Sequence, residues 1–558
     1  MPNASRSRSG SVLVAAGIFL SRVAGVIREM AIAAFLGAGT ATEALRAAMR
    51  IPNLLQNLLG EGTLSASFIP VYAGLLKEGE EERANKLAGA VLGLLLAITT
   101  ALVALGVLVA RPLTWMLTAG QLPDDVFAAT VPLVRIVTIG LGFLVVSAWC
   151  LGVLNTHGRF FISYVAPVAW NAAQIAVLIV VGLAGWAKLD IVDALAWGVV
   201  AGGILQVLVQ VPALREVGGH IRPSLDHRSR EVRDVGRRFA PVLLSRGVIQ
   251  LSAYVDLLLA ALLAQGALTV LGFAQVLYLL PISLFAMSVA AAELPEMSRL
   301  TGDPSAMLAR ARRGFAQIAF FLGFVAVAYV AAGDLIVGTL YQSLAGTLFG
   351  STEFTDELRL SVWLVMGALA LGVPAIGLSR LSQNTMYATG NTRGPARIAI
   401  IRVLVAAGLG LFFAFQFDRV LVEGTTLIDL GNVFGLHGPL PRSERSAEDI
   451  FRLGAVGLAV GSAIAAWVEL VLLERLITRS LPTPPLALPA LAAVIRPAAA
   501  AFLTAAVVKT ITEATPTPIA MVLTIGLAGF VYVTLAFRLG IPEADLILRP
   551  VRRAIWRR

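Results

Sequence analysis

Long apolar runs separated by short polar stretches follow one another from end to end of the chain. Most reach the ~20 residues a helix needs to cross a hydrocarbon core roughly 30 Å thick. Grouping them predicts fourteen helices, over residues 11–35, 41–76, 85–117, 127–154, 161–183, 191–211, 238–264, 268–296, 314–344, 356–388, 397–417, 452–476, 487–510 and 517–537. A closed β-barrel would instead alternate apolar and polar residues over short segments. The pattern therefore predicts an all-α polytopic membrane protein. Composition agrees: of 558 residues, 58% are hydrophobic and only 14% charged, against the quarter charged of soluble domains.

The first two predicted helices break the apolar pattern in an ordered way. At 100° per residue, Ser21, Arg22, Gly25, Arg28 and Glu29 share a sector of roughly 120°. Glu43, Arg46, Arg50, Asn53, Asn57 and Glu61 share one of roughly 80°, with a kink expected at Pro52. An ionised side chain at the bilayer centre costs at least about 2.5 kcal/mol on insertion scales, so such stripes must face a wet space and mark a substrate or ion path. Arg22, Arg28 and Arg50 suit a phosphate-bearing substrate, because a guanidinium pairs bidentately with oxyanions. Glu29 and Glu43 are expected to hold those arginines when substrate is absent. Read blandly, the same stripes would be internal salt bridges or snorkelling helix ends.

Charge in the short loops sets the expected orientation. Lys77, Arg83 and Lys86, then Arg159, the run from Arg222 to Arg238, the run from Arg299 to Arg313, and Arg393 all follow even-numbered helices. By the positive-inside rule those loops, and with an even number of spans both termini, are cytoplasmic. The basic N-terminus precedes an apolar run that contains Arg22 and Arg28 and no clear cleavage site, so the first helix is expected to remain. The net charge of +10 is thus explained by topology, and nucleic acid is not an expected partner.

Faint internal repetition suggests two halves. Residues 155–158, Asn-Thr-His-Gly, echo 391–394, Asn-Thr-Arg-Gly, and Ser21-Arg22 echoes Ser245-Arg246, each six helices on. Six spans return the chain to the same side, so the halves would be parallel repeats with a substrate cavity between them. The expected organisation is a six-helix lobe over 1–211, a basic cytoplasmic linker over 212–237, a second six-helix lobe over 238–476, and two further helices with a basic tail over 477–558. Residues 418–451 form a mixed-charge extracytoplasmic insert, read as a surface decoration.

Several chemistries lack their residues. One cysteine, Cys150, permits no internal disulfide, and four scattered histidines suggest no metal site. No phosphate-binding Gly-rich loop is present, leaving ion gradients or membrane potential as the energy source. Asp256, alone in an apolar run of the seventh helix, is the candidate for a coupling sodium ion or proton. Arg135, Glu293, Glu469 and Glu474 are expected near interfaces or capping loops, and Arg380, Gln383 and Asn384 near a gate of the second half.

The stretches LSRVAGVIREM, FLGAGTATEA, RIPNLLQNLLGEGTLSASFIPVY, LNTHGRF and MYATGNTRGPARIA resemble the signatures of the MurJ (MviN) family of lipid II flippases, within the multidrug, oligosaccharidyl-lipid and polysaccharide exporter superfamily. The resemblance implies fourteen helices, two pseudo-symmetric six-helix lobes around a central cavity, and two C-terminal helices forming a groove for the lipid tail. It implies an inner-membrane transporter, not an enzyme, that moves the lipid II headgroup outward by alternating access for peptidoglycan synthesis, with lipid II, membrane lipids and cell-wall synthesis proteins as partners. Arg22 and Arg28 match the family's cavity arginines, Glu29 and Glu43 its acidic positions, Arg50 a basic one and Asp256 its cation-binding aspartate. Asn53, Gln56 and Glu61 complete the first-lobe set. Two departures stand out: Gln56 replaces a basic residue, and AQVLYLLP, with Gln275 and Val276, replaces an Asp-Arg pair in the eighth helix. Arg246 is the candidate to supply the missing charge. The departures keep open the export of another polyprenyl-linked glycan, or cation-coupled export within the same superfamily.

Overall fold

The computed structural model describes the backbone of residues 3–59, 61–118, 120–217, 221–300, 302–447, 450–511 and 516–555. Within these, side chains are described except at 3–15, 51–52, 54–59, 61–62, 65, 117, 240–242, 244–254, 256–257, 291, 295, 432, 442 and 550–555.

The contacts divide the chain into two compact units, Met1–Thr269 and Val270–Arg558. In the first, the helices are α1 (Asn3–Phe35), α2 (Thr40–Leu59), α3 (Glu61–Ser67), α4 (Ile69–Lys77), α5 (Glu81–Leu108), α6 (Ala110–Leu117), α7 (Asp124–Thr156), α8 (Phe160–Leu183), α9 (Lys188–Val217) and α10 (Arg230–Ala261). Helix α11 (Ala267–Pro281) starts there and runs into the second unit. Local chemistry explains the ends. Helix α7 opens behind Pro123 with Asp124 and Asp125 in its first turn, where negative charge meets the positive end of the helix dipole. The turn that follows α7 passes through Gly158 at φ +74°, a conformation glycine adopts without strain.

Helix α7 is the centre of this unit, packing against α2, α5, α8 and α9. Trp149 and Val153 of α7 meet Phe68, Tyr72, Leu87 and Val91, and Val232 and Val235 of α10 close the same cluster. By its contacts α10 thus belongs with the nine helices before it, although the sequence groups most of it with the second half.

The linker between α9 and α10 is fastened to the side of α5. Ser224 donates its backbone N–H to the carbonyl of Gly89 at 3.0 Å. A Cβ at Gly89 would lie 2.0 Å from the carbonyl oxygen of Arg222, and one at Gly93 2.0 Å from that of Ser224. Only glycine at both positions lets the linker backbone lie this close. A spacing that usually brings two membrane helices together here seats an extended strand of chain.

The second unit continues with a π-helical turn (Ile282–Met287), α12 (Ser288–Arg299), α13 (Pro304–Gly338), a second π turn (Thr339–Leu344), α14 (Ala345–Phe349), α15 (Asp356–Ala370), α16 (Val373–Ala388) and α17 (Arg393–Phe417). After the insert and its helix α18 (Arg442–Arg445) come α19 (Gly454–Ser480), α20 (Ala487–Ile511), α21 (Pro518–Arg538) and α22 (Pro542–Ile555). Helix α13 begins with Asp303 accepting the N–H groups of Ser305 and Ala306 at 3.1 and 3.0 Å, followed by Pro304 in the first turn. It packs on α15, α16, α20 and α21. Helices α17 and α19 cross at small residues: a Cβ on Gly461 would come within 2.3 Å of the Gly410 amide nitrogen. The insert folds as a three-stranded antiparallel sheet in the order β2 (Thr426–Ile428), β1 (Leu421–Glu423), β3 (Phe451–Arg452).

Each predicted span falls on helix, with three corrections in detail. The 41–76 span is described as α2, α3 and α4, with α2 running helical through Pro52. The 85–117 span is α5 and α6. The 356–388 span is α15 and α16, bent by 40°. Among the described residues ten helices are long and apolar enough to cross a membrane, or eleven if the bent pair counts as one span. The predicted spans outside that set, at 11–35, 41–76 and 238–264, are those carrying the candidate charges. The two echoing tetrapeptides also differ in place. Asn155 and Thr156 end α7 before the left-handed Gly158, whereas Asn391 follows the left-handed Gly390 and accepts the Gly394 N–H at 3.0 Å. The turns correspond at Gly158 and Gly390, not at the matching letters.

Candidate functional site

Helix α1 has two environments along its length. From Met30 to its end at Phe35 it is buried, and the helix packs on α8. Before that it opens: Arg22 is exposed, Arg28 is partly exposed, and a Cβ at Gly25 would meet nothing within 4 Å. Residues 22, 25 and 28 recur at helical spacing. Charged groups on an open face of a membrane helix require water rather than lipid beside them.

Glu29 anchors this face from behind. Its side chain is 1% exposed and takes Arg28 Nη2 on one oxygen at 2.8 Å and Arg46 Nη2, from α2, on the other at 2.5 Å. The Arg28 guanidinium also lies over the Trp170 ring, 5.1 Å from its centroid. The carboxylate and the indole leave the Arg28 guanidinium little freedom. Arg28 thus stands partly exposed beside the open face at Gly25, with its carboxylate partner buried behind it.

Glu43 does something else. It is 3% exposed and accepts the backbone N–H groups of Leu268 and Thr269, at 3.0 and 3.4 Å, in the first turn of α11. It caps a helix start instead of holding an arginine, which corrects the role expected for it. Beside it Gln265 donates to Thr40 Oγ1 at 2.9 Å and Thr40 donates to Asp125 at 2.7 Å. These contacts tie α2, α7 and the approach to α11 into one polar knot.

Of the other candidates, Arg50 is partly exposed and Asn53 exposed on α2. The side chains of Gln56, Glu61, Arg246 and Asp256 lie outside the described residues. The sequence reading placed Arg46 on the polar stripe but left it out of the site, and it overlooked Trp170. Arg46 carried the available signal: an arginine inside a membrane helix, one turn beyond Glu43.

The second unit has a buried carboxylate of its own. Glu469, expected near an interface, is instead buried, paired with Arg402 of α17 at 3.1 Å and accepting from Gln383 Nε2 at 2.8 Å. Gln383 in turn accepts from Arg380 at 3.4 Å, and Asn384 donates to the Ala290 carbonyl at 2.7 Å. Arg402 lies within the apolar run IAIIRVLVAAG and was missed, though the rule used for Arg28 identifies it. Glu474, by contrast, caps as expected, accepting the N–H groups of Leu486 and Ala487 at 2.6 and 3.1 Å. Among the described residues no group of three or more His, Cys, Asp or Glu side chains could hold a metal.

Two helical membrane units with charge recessed inside them define a multi-span transporter. The fold matches the solved structure "Lipid II flippase MurJ, inward closed conformation" at TM-score 0.70 and 19% identity, over 97% of this chain and 99% of that one. It also matches an inward-facing multidrug resistance MATE family transporter of the MOP superfamily at TM-score 0.60 and 16% identity, over 82% and 95%. A family model described as "Lipid II flippase MurJ" matches residues 32–429, and the chain belongs to that family. It is 30% identical to the lipid II flippase MurJ of Burkholderia cenocepacia over 68% of this chain and 73% of that one. It is 27% identical to the probable lipid II flippase MurJ of Haemophilus influenzae, over 80% and 90%.

Proposed function

We infer that the chain moves lipid II across the bacterial cytoplasmic membrane, carrying the diphosphate headgroup from the inner to the outer leaflet while the lipid tail stays in the bilayer. Family membership supports the substrate, and the oriented Arg28 beside the open face at Gly25 is the observation that carries the binding site. Arg22, Arg28 and Arg50 meet the anionic headgroup. Glu29, itself held by Arg46, positions Arg28 without touching the headgroup. The two units exchange access between the membrane faces, and substrate or ion drives the cycle by binding one state more tightly than the other. The cytoplasmic loops and both termini face the side where the precursor is made.

The test is rescue of cells depleted of their own lipid II flippase. The wild-type chain restores growth and Arg28→Ala does not, at equal membrane abundance. Failure of the wild type to rescue while well expressed overturns the reading. Coupling through Asp256 is part of the same proposal, and equal transport by Asp256→Asn across sodium and proton gradients removes it. Gln56 and the sequence AQVLYLLP favour a second reading, transport of another polyprenyl-diphosphate glycan. Competition between lipid II and such a lipid for the purified protein separates the two.

A further inference from the structure

The insert between α17 and α19 exposes large apolar side chains that its own fold does not use. Its small core consists of Val420, Val422, Leu440 and Leu453, all buried, whereas Phe434 is 94% exposed, Leu436 87% and Leu430 51%. These residues are not on a loose loop. The side chain of Gln416, in the last turn of α17, grips the backbone of His437 from both sides, accepting its N–H at 3.1 Å and donating to its carbonyl at 3.4 Å. Arg419 donates to the Gly438 carbonyl at 3.3 Å, and the Gly424 N–H is held by Glu357 of α15 at 2.9 Å.

That clamp sets Leu436 and His437 against the outward side of α17, where they line a groove with Gly408, Leu411, Phe412 and Phe415. The groove floor is open, since a Cβ at Gly408 would meet nothing within 4 Å. Helix α17 buries only 17% of its most apolar window, and Ile400, Leu404 and Phe412 are exposed along it. In a membrane-spanning helix such residues face lipid. The apolar surface of α17 thus adjoins Leu436 across this groove, and of the two polar residues in its lining, Gln416 and His437, the first is buried and spends its amide on the backbone of the second. Arg419 stands two residues beyond the end of α17.

We propose that residues 430–438 are a membrane-inserting element: Phe434 and Leu436 enter the leaflet at the C-terminal end of α17, and an acyl chain lies in the groove beneath Leu436. The exposed apolar side chains of the element adjoin those exposed along α17, and this continuity with a lipid-facing helix commits the patch to lipid in preference to an aqueous protein partner. The element fixes the end of α17 at a set depth in the bilayer. This inference is independent of which lipid the protein transports.

Spin labels test it. In a Cys150→Ser background, cysteine is introduced singly at Phe434, Leu436, Thr425 (an exposed polar position of the insert) and Leu404 (on the lipid side of α17). The labelled full-length protein is placed in phosphatidylcholine–phosphatidylglycerol nanodiscs. The expected result is that labels at 434 and 436 behave like that at 404, open to oxygen and shielded from a water-soluble nickel chelate, while 425 shows the reverse. Nickel access at either 434 or 436 equal to that at 425 overturns the proposal. So does shielding that appears only after an extracytoplasmic protein extract is added, which assigns the patch to a protein partner. The label at 404 reports independently that α17 is in place.

Discussion

Glu29 and Glu469 are both carboxylates enclosed among membrane helices, yet they are neutralised differently. Glu29 gives one oxygen to each of two arginines from two helices. Glu469 has one arginine on one oxygen and an amide on the other, with Arg380 reached only through that amide. The first arrangement places positive charge beside an open face, and the second closes on itself. A recessed acid in a membrane bundle can thus either orient a cation for external use or serve as internal mortar, and the number of cations it shares distinguishes the two.

Removing each acid tests this difference most directly. Glu29→Gln leaves two arginines facing a neutral amide, and breaking a buried pair costs about 3–5 kcal/mol. Its melting temperature in detergent is expected to fall further than that of Glu469→Gln, and equal falls would break the comparison. Removing the cations should reverse the order. Arg402→Met strips Glu469 of its ion pair, with a loss of about 3 kcal/mol, whereas Arg46→Met leaves Glu29 with Arg28 and lowers flippase rescue more than thermal stability. A double-mutant cycle on Arg402 and Glu469 should give a coupling of about 1–3 kcal/mol, and a value near zero would remove the mortar role. The smallest effect concerns the glycines. Gly89→Leu, which overpacks the linker at a cost of about 1–3 kcal/mol, should open residues 221–226 to protease, while Gly461→Leu should leave that cleavage unchanged.

Much of the architecture was legible because membrane insertion is a local requirement: each span must satisfy the bilayer by itself. The same rule marked Arg22 and Arg28 as misplaced in lipid. What escaped were the partners. Helical arithmetic put Glu29 and Glu43 on polar faces but could not tell that Glu29 would take Arg46, or that Glu43 would cap a helix beginning at Ala267. Those pairings depend on how helices settle against one another. The echo of Asn155 and Asn391 misled for a related reason, since matching letters say nothing of which residue turns left-handed. Gly89 and Gly93 drew no notice in the sequence, and the linker backbone that lies against them emerges only in the fold.

That linker bears on how the chain is made. Helix α5 leaves the ribosome well before residues 222–224, so its glycine face stays uncovered while α6 to α9 are synthesised and inserted. The first unit becomes complete only when the linker and α10 have followed. Packing around α5 therefore waits on the last helix of its own unit, so the first half is finished from its end backwards.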